Sequence, residues 1–192
     1  MAEEQTEWFT TWGGRVMGIV GLVVVAFFLL AGVTGWGGDY HPAAYVVLGL
    51  IALVDWVVML RPAVGIRGEE LVLRNPLTTV TLPLAAIQEV AIGQFLAVLV
   101  SGRRYTNSGI GRGRSAARRD DAVGEASPQR SYGGLIESRI RQRANDARAR
   151  QGIEDRSDEQ DALAADVRRE PARVELAVLG VLVVALVVTL AV

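Results

Sequence analysis

Three apolar runs frame a polar middle, and no other feature of the chain restricts its fold as strongly. Residues 16–34 and 43–60 lie near the start, and residues 174–192 lie at the end. Each run is 18 or 19 residues long, enough for a helix to cross the ~30 Å hydrocarbon core of a bilayer. A soluble protein would need a large core to hide them, and the residues between are too few and too polar to build one. The chain is therefore expected to be a membrane protein whose soluble part is tethered on both sides.

Composition narrows the chemistry. The 192 residues include no cysteine, which excludes disulfides, thiolate zinc sites and a cysteine nucleophile. Residues 1–15 are acidic at the start (Glu3, Glu4, Glu7), and no A-x-A site follows the long apolar run, so the first run is expected to stay as an anchor rather than be cleaved as a signal. All 20 basic residues are arginine, a usage that points to a GC-rich bacterial genome such as an actinobacterium. The net charge of −1 conceals blocks: residues 103–119 hold six arginines and no acid, and residues 154–170 hold seven acids against three arginines.

Arginine placement sets the expected orientation. Arg15 precedes the first run, Arg61, Arg67 and Arg74 follow the second, and Arg168, Arg169 and Arg173 precede the third. The loop at 35–42 has Asp39 and no arginine. If the first two runs form a hairpin, every basic flank falls on one side. That side is expected to be the cytoplasm, holding the N-terminus and the polar middle, with the 35–42 loop and the C-terminus outside. Trp12, Trp36, Tyr40 and Tyr45 fall near the expected interfaces, where amphipathic rings are favoured.

From Ala63 the texture changes to short β-type segments separated by turn signals at Gly68-Glu69, Asn75-Pro76 and Ser101-Gly102. Five or six strands at this spacing predict a small antiparallel meander over residues 62–108. With so few residues, a helix or the membrane surface must cover one face. The candidate helix is 131–151, with Leu135, Ile136 and Ile140 on one face and Glu137–Arg141 as an i, i+4 pair; its apolar stripe fades after Ile140. Residues 109–130 read as a disordered Arg/Gly/Ser-rich loop, and 152–173 as a charged linker with scope for helical turns.

These residues carry a family resemblance. The stretch from Arg61-Pro62 through the G-x-x-L-x-[VL]-R-N turn (Gly68 to Asn75), the P-x-x-x-I segment (Pro83 to Ile87) and the strand closing on Gly102-Arg103-Arg104 resembles the bacterial PH-like domain of actinobacterial membrane proteins of the low-molecular-weight protein antigen type. It covers residues 15–108. Leu84 stands where that family often has an aromatic. The resemblance implies an α+β membrane protein: an N-terminal segment and transmembrane hairpin (1–61), a PH-like β domain with a C-terminal helix, and a C-terminal transmembrane helix (174–192). Its motifs are fold motifs, and none is catalytic.

Candidate binding chemistry lies in the charges. Arg103, Arg104, Arg112, Arg114, Arg118 and Arg119 are expected to contact a partner or anionic lipid headgroups, each basic residue contributing about 1 kcal/mol near an anionic leaflet. The alternative is a solvated loop, or one neutralised by the acidic block. Nucleic acid is disfavoured because only Tyr105 is close enough for base stacking. Asp55 falls inside the second run, where a carboxylate needs a partner or water. Arg15 and Arg61 are the candidate partners, with a partner-subunit contact, an ion pathway or snorkelling as alternatives. Gly14-x-x-x-Gly18 would allow close helix packing. His41 and Asp39 are too few ligands for a metal site, and 109–113 lacks the lysine of a phosphate loop. No serine (Ser101, Ser108, Ser115, Ser127, Ser131) has a base within its sequence neighbourhood.

The sequence thus predicts a non-enzymatic plasma-membrane protein without cofactor or metal, whose soluble domain binds a membrane or cytoplasmic protein partner as a scaffold or accessory subunit. An anionic-lipid module using the arginine segment is the second reading, and a transporter subunit using Asp55 the third.

Overall fold

The computed structural model describes residues 6–123 and 130–191; residues 124–129 of the expected loop, with Ser127, and Glu3, Glu4 and Val192 lie outside the described residues. The fold is α+β and divides into two compact units, one from residues 6–11 and Pro62–Glu170, the other from Trp12–Arg61 and residues 171–191.

The sheet unit holds two antiparallel sheets. Strands β1 (Glu7–Phe9), β2 (Ala63–Arg67), β3 (Glu70–Arg74), β4 (Thr78–Pro83) and β8 (Arg168–Pro171) form one sheet in the order β1-β2-β3-β4-β8. Strands β5 (Glu89–Ile92), β6 (Leu96–Val100) and β7 (Arg103–Asn107) form the other. The turns follow their residues. Gly68 adopts φ +55° where Arg67 pairs with Glu70. Ser101 and Gly102 both take positive φ between paired Val100 and Arg103, as a two-residue hairpin requires. The expected meander breaks once: Pro83 ends β4, a 3₁₀ turn at Leu84–Ala86 follows, and the chain starts a second sheet.

Both sheets share one core, in which Val64, Leu71, Leu73, Leu82, Leu84, Leu96, Val98 and Ile110 are buried. Helix α4 (Tyr132–Gln151) covers it, contacting the 3₁₀ turn and β5. Its buried face is Ile136, Ile140, Ala144 and Ala147, so two alanines extend the stripe past Ile140, and the half expected to be solvated packs. Leu135, expected on that face, is exposed. Ser131 caps the helix start by accepting the Gly134 N–H, and Gly152 at φ +68° ends it.

Two further segments are ordered where the sequence reads as loop and linker. Helix α3 (Arg114–Val123) forms within 109–130. Helix α5 (Asp158–Ala162), a 3₁₀ turn (Leu163–Asp166) and β8 occupy the charged linker. Gln160 anchors that linker, because its Nε2 donates to the Ala85 and Ile87 carbonyls at 3.0 and 3.1 Å and its Oε1 accepts the Arg156 N–H at 2.7 Å. Asn107 similarly joins the two sheets, donating to the Arg74 carbonyl at 2.6 Å and accepting from Gly109 N–H at 2.7 Å.

The second unit holds helices α1 (Trp12–Val33), α2 (Pro42–Asp55, continued by a π-helical turn at Trp56–Leu60) and α6 (Arg173–Ala191). All three are long and apolar enough to cross a membrane, with mean hydropathies of 2.8, 2.3 and 2.7. His41 has a local role: its Nδ1 accepts the Ala43 N–H at 3.2 Å and caps α2. Gly18 lets α1 approach the end of α2, since a Cβ there would stand 2.8 Å from Met59 Cβ.

Replacing Gln160 by alanine strands two buried carbonyls, so Gln160→Ala is expected to destabilise the protein by about 2 kcal/mol, against little change for the exposed neighbour Glu159→Ala. Denaturant unfolding of both variants checks this.

Candidate functional site

The six expected arginines separate into three groups. Arg103 and Arg104 lie exposed on β7 and line a cavity of about 460 Å³ with Tyr105, Ala164, Val167 and Arg169. Successive residues of a strand point to opposite faces, so a cavity lined by three in a row, 103 to 105, runs along the strand's edge. β7 is the last strand of its sheet, and β8, which supplies Arg169, is the last strand of the other. The cavity is therefore an edge groove. No carboxylate lines it, and Arg103, Arg104 and Arg169 have no ion pair among the described residues.

Arg112 is withdrawn from any surface role. Its guanidinium pairs with Asp120 at 2.8 Å and Glu137 at 3.1 Å, and its Nε donates to the Ile92 carbonyl. The side chain keeps 11% of its exposure, too little for a lipid-capturing arm. This corrects, for the described residues 109–123 and 130, the reading of a solvated loop. With few apolar groups to bury, the segment is held by charge instead. Glu137 also accepts the Ile92 N–H at 3.1 Å and pairs with Arg141 at 3.0 Å.

Arg114, Arg118 and Arg119 are exposed on α3 and make no ion pair among the described residues. The acidic block does not neutralise the arginine segment among those residues: Asp155 pairs with Arg148, and Asp161 accepts from Gln88.

The set expected around Asp55, with Arg15 and Arg61, is also rearranged. Asp55 meets neither Arg15 nor Arg61. It packs over Gly21, where a Cβ would stand 2.7 Å from Asp55 Oδ1. Six residues separate Gly21 from Arg15, about 9 Å of helix rise, so Arg15 stands too near the helix start. Arg61 instead pairs with Glu175 at 2.6 Å, joining the end of α2 to the start of α6.

Sequence reasoning missed two residues. Arg169 sits in a block that reads as acidic, and only the strand it occupies brings it to the groove. Asp120 reads as part of a disordered loop, yet it is buried, accepting from Ser131 Oγ at 2.5 Å and Ser131 N–H at 2.6 Å. Among the described residues no group of three or more His, Cys, Asp or Glu could hold a metal.

Comparison of the chain with protein-family models, curated proteins and solved structures returns no match.

Burial raises the Asp120 pKa, but the Ser131 hydroxyl and amide and then the Arg112 guanidinium outweigh it, holding the carboxyl at about 2 against an ordinary 3.8. The folded value lies below the unfolded one, so this contribution to stability is complete above about pH 4 and disappears as pH falls toward about 2. The thermal midpoint of the full chain is expected to fall across that window. Asp120→Asn should lower the midpoint at pH 7 and flatten its acid limb, as calorimetry against pH would record.

Proposed function

We propose that this chain is a non-enzymatic membrane-anchored scaffold whose soluble domain captures an acidic, extended segment of a partner protein in the β7/β8 groove. The observation that carries the reading is the groove itself: three arginines without ion pairs beside two terminal strands. A sheet edge supplies backbone hydrogen-bonding groups for an added strand, and the arginines supply charge complementarity to carboxylates. Three arginines and no carboxylate among the six lining residues favour an acidic partner over an apolar one.

The PH-like reading draws support from two antiparallel sheets around one core with α4 laid against it. Membrane insertion draws support from the length and hydropathy of α1, α2 and α6. The chain passes from β1 toward α1, from the end of α2 into β2 and from β8 into α6, and β1, β2 and β8 belong to one sheet. That connectivity supports one-sided placement of the domain, and the arginine flanks favour the cytoplasmic face of the plasma membrane. A second reading, capture of anionic lipid headgroups, draws support from exposed Arg114, Arg118 and Arg119 on α3.

The test titrates full-length protein in phosphatidylcholine nanodiscs with a fluorescent oligoglutamate peptide. Arg103→Glu/Arg104→Glu/Arg169→Glu is expected to weaken binding by about tenfold or more, while Arg114→Glu/Arg118→Glu/Arg119→Glu leaves it nearly unchanged. Added salt should weaken the wild-type complex. Equal binding by wild type and the groove variant ends the peptide reading. Loss of binding to phosphatidylglycerol vesicles in the α3 variant, with no peptide binding by any form, favours the lipid reading.

A further inference from the structure

Asp55 is a carboxylate without a partner among the described residues, on a helix apolar enough to cross a membrane. Its Oδ2 is covered and accepts no hydrogen bond among the described residues. The two basic residues that the sequence offers it are unsuitable: Arg61 is paired with Glu175, and Arg15 stands about a turn and a half away along α1. Residues 16–33 of α1 contain no polar side chain, and α6 after Glu175 offers only Thr189, whose hydroxyl donates to Ala185 within its own helix at 2.9 Å. The second unit therefore contains no cation at the depth of Asp55. An ionisable residue in hydrocarbon is costly unless it meets a partner or water.

The same residue lines a surface groove. Together with Val47, Ile51, Val54 and Val58 it borders a cavity of about 430 Å³ on α2. Those four apolar residues are exposed, and they recur at i, i+4, i+7 and i+11, the spacing of a helix-packing stripe. α6 approaches α2 on another face, with Leu182 3.4 Å from a Cβ placed at Gly49, and α1 approaches on the Gly21 side. Immediately after Asp55 the helix widens into its π-helical turn, a local distortion that often accompanies functional positions. Lipid chains could cover the valines and isoleucine, but they leave the carboxylate without a counter-ion.

We propose that this face of α2 docks a transmembrane helix of a different membrane protein, one that carries a single basic residue at the depth of Asp55. The apolar stripe supplies the packing surface, and the carboxylate fixes register and selects the partner by charge. A second copy of this chain does not satisfy the same site. A two-fold axis along the membrane normal would bring Asp55 against Asp55, and Arg15 and Arg61 of that copy would stand about 9 Å nearer the membrane surface. The proposal rests on the membrane reading and is independent of the β7/β8 groove.

The experiment uses full-length protein carrying Ser108→Cys for a single dye, because the chain has no cysteine, reconstituted in phosphatidylcholine vesicles. The probe is a dye-labelled leucine/alanine transmembrane peptide with one arginine about a third of the way along, compared with the same peptide carrying leucine there. Energy transfer is expected to report at least about fivefold stronger association with the arginine peptide. Asp55→Asn, nearly equal in size, should bring it to the level of the leucine peptide. Equal association of the two peptides with wild-type protein overturns the proposal, as does association unchanged by Asp55→Asn. Transfer between two labelled copies that vanishes in Asp55→Asn overturns it in favour of self-association. Protein that fails to float with vesicles after alkaline carbonate overturns the membrane reading and this inference with it. Should Asp55→Asn not reconstitute, the comparison of the two peptides on wild-type protein decides alone.

Discussion

The sheet unit depends on one constraint: two small open sheets expose more apolar surface than they can hide from each other, so a helix must close the core. A unit of this size buries a smaller share of its surface than a large domain does, and each uncovered core leucine would remove about 2 kcal/mol of stabilisation. Helix α4 supplies the cover with only two isoleucines and two alanines. Such a modest apolar face needs help to stay in register. Glu137 provides it beside Ile136 at the start of that face, accepting the Ile92 N–H and pairing with Arg112, which in turn holds Asp120. Burying three charges is tolerated only because each is paired and hydrogen-bonded. Removing one member would leave an uncompensated charge, so the cluster couples α3, α4 and β5 as one element.

Against that background the twenty arginines divide by what surrounds them. Where a strand or helix brings a carboxylate within reach, as at Arg112, Arg139, Arg150 and Arg168, the guanidinium is used to tie segments together. Arg74 instead lies over the Trp8 ring at 4.2 Å, where the aromatic face stabilises the cation. Arg103, Arg104 and Arg169 at the β7 and β8 edges have no such ion pair among the described residues. An unpaired cation on a strand edge discourages indiscriminate edge-to-edge pairing, while leaving the edge open to a strand that brings its own negative charge. The same residues can therefore protect the groove from aggregation and make it selective.

How much of this was legible in the sequence depends on which physical signal each segment carries. The long apolar runs and the Ser101-Gly102 hairpin were readable because periodicity and turn chemistry are local properties. The turn at Pro83 was readable, but not that it divides the strands between two sheets, since the residues on both sides remain equally apolar. The order within 109–123 and the anchoring of 152–171 are not legible in the sequence for one reason: both depend on polar contacts to distant parts of the chain. Gln160 reaches Ala85 and Ile87 across more than seventy residues of sequence, and Arg112 reaches Ile92 and Glu137, each twenty or more residues away. Composition reports these segments as too polar to pack, which is true of apolar packing and irrelevant to hydrogen bonding. Alanine caused the opposite error in α4, where Ala144 and Ala147 are small enough to seem neutral yet are fully covered.

The misassigned partners of Asp55 show the same limit at finer scale. Sequence distance along antiparallel helices gives depth only to within a turn or two, and a salt bridge tolerates no such error. The helix end near Arg61 already has its acid, because Glu175 arrives at the start of α6. Glycine at position 21 then decides the matter: with no side chain there, α1 can lie against the Asp55 carboxylate itself, and that close approach fixes the acid a turn and a half short of either arginine. Close packing and charge pairing thus compete at this position, and packing prevails. A carboxylate left unpaired by such a compromise needs water or a cation from another chain to meet its charge. That requirement, set by Gly21 and Glu175 together, is what makes the exposed face of α2 a directional surface rather than a uniform one.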